Sequence, residues 1–101
     1  MENTPSIKLP LDSITLAEIR RIAGHLGKIY LFGSRATGRN KPFSDIDLCV
    51  VSDSPIPDEV MGSLKESFQE SNIPFKVDIV DYHQISNEFR AMISKDWIEI
   101  Q

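Results

Sequence analysis

The sequence predicts an α/β (α+β) domain: a small mixed sheet of about three strands with helices on one face. Three observations carry this reading. Short apolar strands alternate with segments of helical spacing, in the order helix, strand, strand, helix, strand, helix. The first two strands are joined by the 12-residue stretch Gly33–Ser44, too short for a full crossover helix, so they are expected to pair antiparallel. The second and third are joined through a full helix, which permits a parallel pair.

Residues 1–13 look irregular. Thr15 with Glu18 three positions on reads as a capping box, and Ile19, Ile22, Ala23 and Leu26 follow at helical spacing until Gly27. Lys28–Phe32 (KIYLF) is a short strand, apolar on both faces. Gly33–Ser44 (GSRATGRNKPFS) is a basic loop containing two glycines. Asp45–Val51 (DIDLCVV) is the second strand, broken by Pro55 and Pro57. Asp58–Ser71 reads as a helix with Val60, Met61, Leu64 and Phe68 inward. After the turn Asn72–Pro74, Lys76–Asp81 (KVDIVD) is the third strand. Ser86–Lys95 is a last helix carrying Phe89, Met92 and Ile93. Trp97–Gln101 alternates apolar and polar residues, and its state is left open: docked on the core, or part of an interface.

The chain has 101 residues, 41% hydrophobic and 26% charged, which fits one domain spanning 1–101. Eleven Lys and Arg against fifteen Asp and Glu give a net charge of −4. That argues against direct nucleic-acid binding, which needs a basic face to displace counterions. Cys49 is the only cysteine, so neither an internal disulfide nor a cysteine-built zinc site is available. No apolar run approaches the ~20 residues of a membrane span, and the polar start does not resemble a secretory signal. A cytoplasmic location is the expectation.

The chemistry-bearing residues lie on the second and third strands. Asp45 and Asp47 are two apart, so both point to one face, roughly 6.6 Å apart along the strand. Ile46, Leu48 and Val50 then face the helices. Asp78 has the matching parity in the third strand, whereas Asp81 shares the parity of Ile79 and reads as a strand-end residue. Three carboxylates on one face repel one another and call for a cation. Magnesium takes oxygen ligands and keeps positions for water and phosphate, and carboxylates that bridge two ions form the clamp of in-line phosphoryl chemistry. Asp is disfavoured in strands, which weighs against three solvated bystanders. In the preceding loop, Gly33 permits close approach of a phosphate, Ser34 offers a hydroxyl and an N–H, and a helical turn starting near Ser34 would aim amides at an anion. Arg35 is a candidate phosphate partner, with Arg39 and Lys41 adding positive charge. The loop is not a Walker P-loop, because the Gly-Lys-Ser/Thr ending is absent.

Taken together, Gly33–Leu48 (GSRATGRNKPFSDIDL) closely resembles the signature of the DNA polymerase β-type nucleotidyltransferase superfamily: Gly-Ser, a basic loop, then Asp-x-Asp. The small size and the later KVDIVD segment resemble its minimal nucleotidyltransferase (MNT) branch. The resemblance implies a polymerase β palm-like fold and transfer of AMP, or another nucleoside monophosphate, from ATP with release of pyrophosphate. It implies that Asp45, Asp47 and Asp78 hold Mg²⁺, two ions in all, with Asp78 also a candidate base. Gly33, Ser34 and Arg35 would bind the triphosphate. In that branch the acceptor is commonly a tyrosine of a helical HEPN toxin, for which the MNT chain is the antitoxin. The substrate-binding region of larger relatives is absent, which fits a protein acceptor in a heteromer; a homodimer is also open.

Tyr30 and Tyr82 read as packing aromatics rather than self-acceptors, and His25 and His83 as surface or capping groups. Two other functions compete. One is a nucleotide-binding subunit that controls a partner by contact alone. The other is a metal-dependent phosphohydrolase on the same acids, which would release phosphate from ATP without transferring a label.

Overall fold

The computed structural model describes residues 10–100. Residues 1–9 and Gln101, part of the stretches read above as an irregular start and a tail, lie outside them. The elements are α1 (Ser13–Ala23), β1 (Lys28–Phe32), α2 (Ser34–Thr37), β2 (Ile46–Val51), α3 (Asp58–Gln69), β3 (Val77–Asp81), a 3₁₀ turn (Tyr82–Gln84), α4 (Asn87–Ser94) and β4 (Ile98–Glu99).

The pairing follows from the connection lengths. β1 and β2 are antiparallel, and β2 and β3 are parallel across the α3 crossover. The sheet order is β3-β2-β1-β4, four strands rather than three. The added strand is the C-terminal tail: Ile98 pairs with Leu31 and Glu99 with Tyr30. Its apolar load is thereby buried, with Ile100 only 1% exposed and its carbonyl accepting from Arg20 Nε at 3.1 Å. Ile100→Ala is expected to cost about 2–4 kcal/mol, because a filled core site becomes a cavity; urea unfolding of the variant measures it.

Alternation in the strands sorts the two faces. Ile29, Leu31, Ile46, Leu48, Val50 and Ile79 meet Leu16, Ile19, Ile22 and Ala23 of α1 and Leu64 and Phe68 of α3 in one core. The other face carries Tyr30, Phe32, Asp47, Cys49, Asp78 and Val80. The helices are therefore not all on one side. Phe89 of α4 packs edge-on against Phe32 at 5.8 Å, and Trp97 stacks on Tyr30 at 3.9 Å. The apolar residues of β1 on this face need cover, and α4 with the segment after it supplies that cover. The acid-bearing corner formed by β2 and β3 stays open.

The start of α1 is set by Asp12, not Thr15. The Asp12 carboxylate accepts from the Thr15 N–H at 2.7 Å, while Thr15 itself is buried. Helical hydrogen bonding ends at Gly24, three residues before Gly27. Ser86 caps α4 by accepting from the Phe89 N–H at 3.1 Å. Asp81 is 3% exposed and accepts from the Ile56 and His83 N–H groups at 2.7 and 3.0 Å. It is a strand-end cap, as its parity suggested. No described helix is long and apolar enough to cross a membrane.

Candidate active site

The acids meet at the corner where β1 ends. In the sheet register Phe32 lies opposite Asp47, and Asp47 lies opposite Asp78. Residues opposite one another share a face, so Asp47 and Asp78 stand side by side on adjacent strands about 4.8 Å apart. Asp45 sits just before β2 and is exposed, as is Asp78; Asp47 is half-buried. Burial, then the charges of Asp78 and Asp45, hold the Asp47 carboxyl above its usual range, partly opposed by Lys76. Asp47 thus feels the charges of both other carboxylates. Lys76 Nζ lies 3.8 Å from Asp78 Oδ1. This cation stands two residues before Asp78, so strand alternation alone places it on the same face, yet the sequence pattern did not single it out.

Gly33 directly follows Phe32 and touches the same corner. Its φ is +78°, and a Cβ there would run into Asp47 Oδ2. Glycine is required on both counts: the backbone is left-handed, and the carboxylate occupies the space a side chain would take. From Gly33 the chain enters the single turn of α2. The Gly33 carbonyl accepts from the Ala36 and Thr37 N–H groups at 3.1 and 3.2 Å, and the turn closes at Gly38, whose N–H donates to the Ser34 carbonyl. Ser34 is half-buried at the head of this turn.

Arg35, the third loop candidate, is turned into the protein. It is 7% exposed. Its Nε and Nη2 both donate to the Ser44 carbonyl at 3.0 and 2.7 Å, and the guanidinium lies 4.3 Å from the centre of the Phe75 ring. The structure therefore brings together Gly33, Asp47 and Asp78, with Asp45 and Ser34 beside them, and places the Arg35 guanidinium behind the loop.

The donors at the corner are all oxygen, the set that suits a hard divalent cation such as Mg²⁺ rather than zinc or copper. Among the described residues, no three His, Cys, Asp or Glu side chains are gathered tightly enough to hold an ion as they stand. Two residues beyond Asp47 on the same face, Cys49 is fully buried, and burial first and then the charge of Asp81 push its thiol up to about 12, as for a packing residue. His83 bonds the Ser52 carbonyl through Nε2 at 2.7 Å, and Tyr30 and Tyr82 both pack against Trp97. A groove along the free edge of β3, lined by Lys65, Phe75, Lys76 and Asp78, opens beside the acids. A second, between the start of α1 and Asn72–Pro74, holds none of the three aspartates.

Residues 15–100 match the family described as Polymerase beta, Nucleotidyltransferase. The chain belongs to this nucleotidyltransferase family. A Haemophilus influenzae member, named Probable protein adenylyltransferase MntA, is 36% identical, with 97% of this chain and 89% of that protein covered. The nucleotidyltransferase fold also superposes on a crystal structure of a toxin–antitoxin with AMP-PNP, at a TM-score of 0.69 and 24% identity, covering 86% of this chain and 69% of that one. A structure of a tri-AMPylated Shewanella oneidensis HEPN toxin in complex with an MNT antitoxin matches at a TM-score of 0.63 and 22% identity, covering 87% and 66%. In this nucleotidyltransferase the Gly33-Ser34 turn and Asp47 meet at a single corner of the sheet, with Asp45 beside them.

Proposed function

We propose that the protein transfers AMP from Mg²⁺·ATP to a hydroxyl of a HEPN-type partner protein and so acts as its antitoxin. One observation carries the chemistry: Asp47 and Asp78 stand in register on adjacent strands, with Gly33 packed directly against the Asp47 carboxylate. The family assignment supports nucleotidyl transfer. The name of the Haemophilus influenzae relative and the toxin–antitoxin complexes with related folds support a protein acceptor.

In this reading Asp45, Asp47 and Asp78 hold Mg²⁺, two ions in all. When bound, the metal supplies positive charge to the triphosphate and lowers the pKa of the attacking hydroxyl. The chain's own groups do the rest. The Gly33 backbone and the Ser34 N–H and hydroxyl hold the β- and γ-phosphates. Asp78, open to solvent beside the β3 groove, receives the proton of the acceptor hydroxyl. The acceptor oxygen forms a bond to the α-phosphorus, the bond from the α-phosphorus to the bridging oxygen breaks, and pyrophosphate leaves.

The test is label transfer. The protein, Mg²⁺ and the purified HEPN-type partner are incubated with ATP labelled at the α-phosphate and, in parallel, at the γ-phosphate. Label moving to the partner from the α position only is the expected result. Release of γ-phosphate without transfer would instead indicate hydrolysis. Control of the partner by an Asp47→Asn variant that transfers no label would indicate regulation by contact alone.

A further inference from the structure

We infer that Arg35 is a positioning residue, a clamp that holds Asp45 and Asp78 in place from behind the site. This rests on the transfer reading above and deepens it by assigning a residue whose guanidinium is buried against Ser44 and Phe75. Three segments carry the reacting groups, and Arg35 is where they join. It sits in α2, one residue after Ser34. Its Nε and Nη2 converge on the Ser44 carbonyl, the peptide that leads directly into Asp45. Its planar face covers Phe75, the residue before Lys76. The junction is closed on the far side as well, because the Ile46 N–H donates to the Lys76 carbonyl at 2.9 Å.

Ser44 is pinned from its own turn too. Its N–H donates to the Lys41 carbonyl at 3.1 Å, and its Oγ accepts from the Lys41 N–H at 2.8 Å. With both sides of the Ser44 peptide held, the direction in which Asp45 leaves the loop is fixed. A guanidinium suits such a junction because it is flat enough to stack on a ring, carries two N–H groups that point the same way, and stays charged when buried. An ammonium offers a point charge and no plane. The loop could otherwise sample many conformations over its length, and a displacement near 1 Å at a reacting group costs about 100-fold in rate.

The clamp and a phosphate contact make opposite predictions. Arg35→Lys keeps the charge and loses the fork and the stack. Phe75→Leu removes the stack and alters no charge. If Arg35 is the clamp, both variants lower kcat for label transfer by about 10- to 100-fold, with the KM for ATP within about 3-fold of the parent. The double variant is then little worse than Arg35→Lys alone, because both changes break one contact. Amide hydrogen exchange at Ile46 speeds up in both, while exchange in α1 and α3 stays slow, showing that the fold persists. Parent-like kcat in Arg35→Lys, a silent Phe75→Leu, or unchanged exchange at Ile46 would each overturn the clamp. Should the parent itself transfer no label, the transfer reading falls. The clamp is then decided by the Ile46 exchange alone.

Discussion

Asp47→Asn is expected to lower nucleotidyl transfer by about 1,000-fold and to leave the fold at least as stable as before. The rate follows from the charge. In the proposed reading Asp47 helps hold Mg²⁺, so losing its charge removes several kcal/mol of stabilisation from the developing phosphoryl charge, and each 1.36 kcal/mol is about tenfold in rate. The stability follows from the same crowding that makes the site. Burial and the neighbouring Asp78 and Asp45 charges raise the Asp47 pKa in the folded chain. In the metal-free protein the native state therefore binds more protons than the unfolded one between the ordinary carboxylate pKa and the raised value. Stability falls as pH rises through that window and stays reduced above it. Asparagine carries no charge to desolvate or repel, so at neutral pH in EDTA the variant should melt at or above the parent's Tm. Added Mg²⁺ should raise the parent's Tm, since a ligand of the native state stabilises it, and leave the variant's nearly unmoved. A large drop in the variant's Tm would mean that lost transfer reports unfolding rather than chemistry.

Gly33→Ala is expected to damage both properties at once. The backbone at φ +78° is unfavourable for alanine, and the new methyl group collides with Asp47 Oδ2. Strain of this kind costs of order 1–3 kcal/mol, and relieving it must move either the head of α2 or the Asp47 carboxylate. Transfer should fall by about 100-fold or more, as for a misplaced reacting group. Gly62→Ala is the matching control. That glycine lies within α3, and a Cβ there meets nothing within 4 Å. It should stabilise the protein by about 0.5–1 kcal/mol through helix propensity and leave transfer unchanged. Denaturant midpoints and label-transfer rates measured on both variants separate a special glycine from an ordinary one. Equal behaviour of the two would remove the argument for close packing at Gly33.

Local patterns determined more of this protein than its small size suggests. Alternation along the second and third strands was enough to put Asp47 and Asp78 on one face and Ile46, Leu48 and Ile79 on the other, because strand periodicity is a property of the backbone itself, whereas Asp45, read as the first residue of the second strand, lies just before it. Connection lengths were enough to orient β1 against β2 and β2 along β3. The helical turn after Gly33 and the capping role of Asp81 were also legible, each from a few adjacent residues. Tertiary structure alone decided the rest, and in each case the partner lies far away in the chain. The tail became a fourth strand because β1, some seventy residues earlier, offered an unpaired edge and Ile100 a place in the core. α4 crossed to the second face because Tyr30 and Phe32 needed apolar cover there. Arg35 shows the limit most sharply. A basic residue beside Gly-Ser reads as a phosphate ligand, and nothing local says that its guanidinium turns inward. That orientation depends on Ser44 and Phe75 arriving from two other segments to receive it. A buried charge is held only where such partners converge, and convergence is a property of the fold.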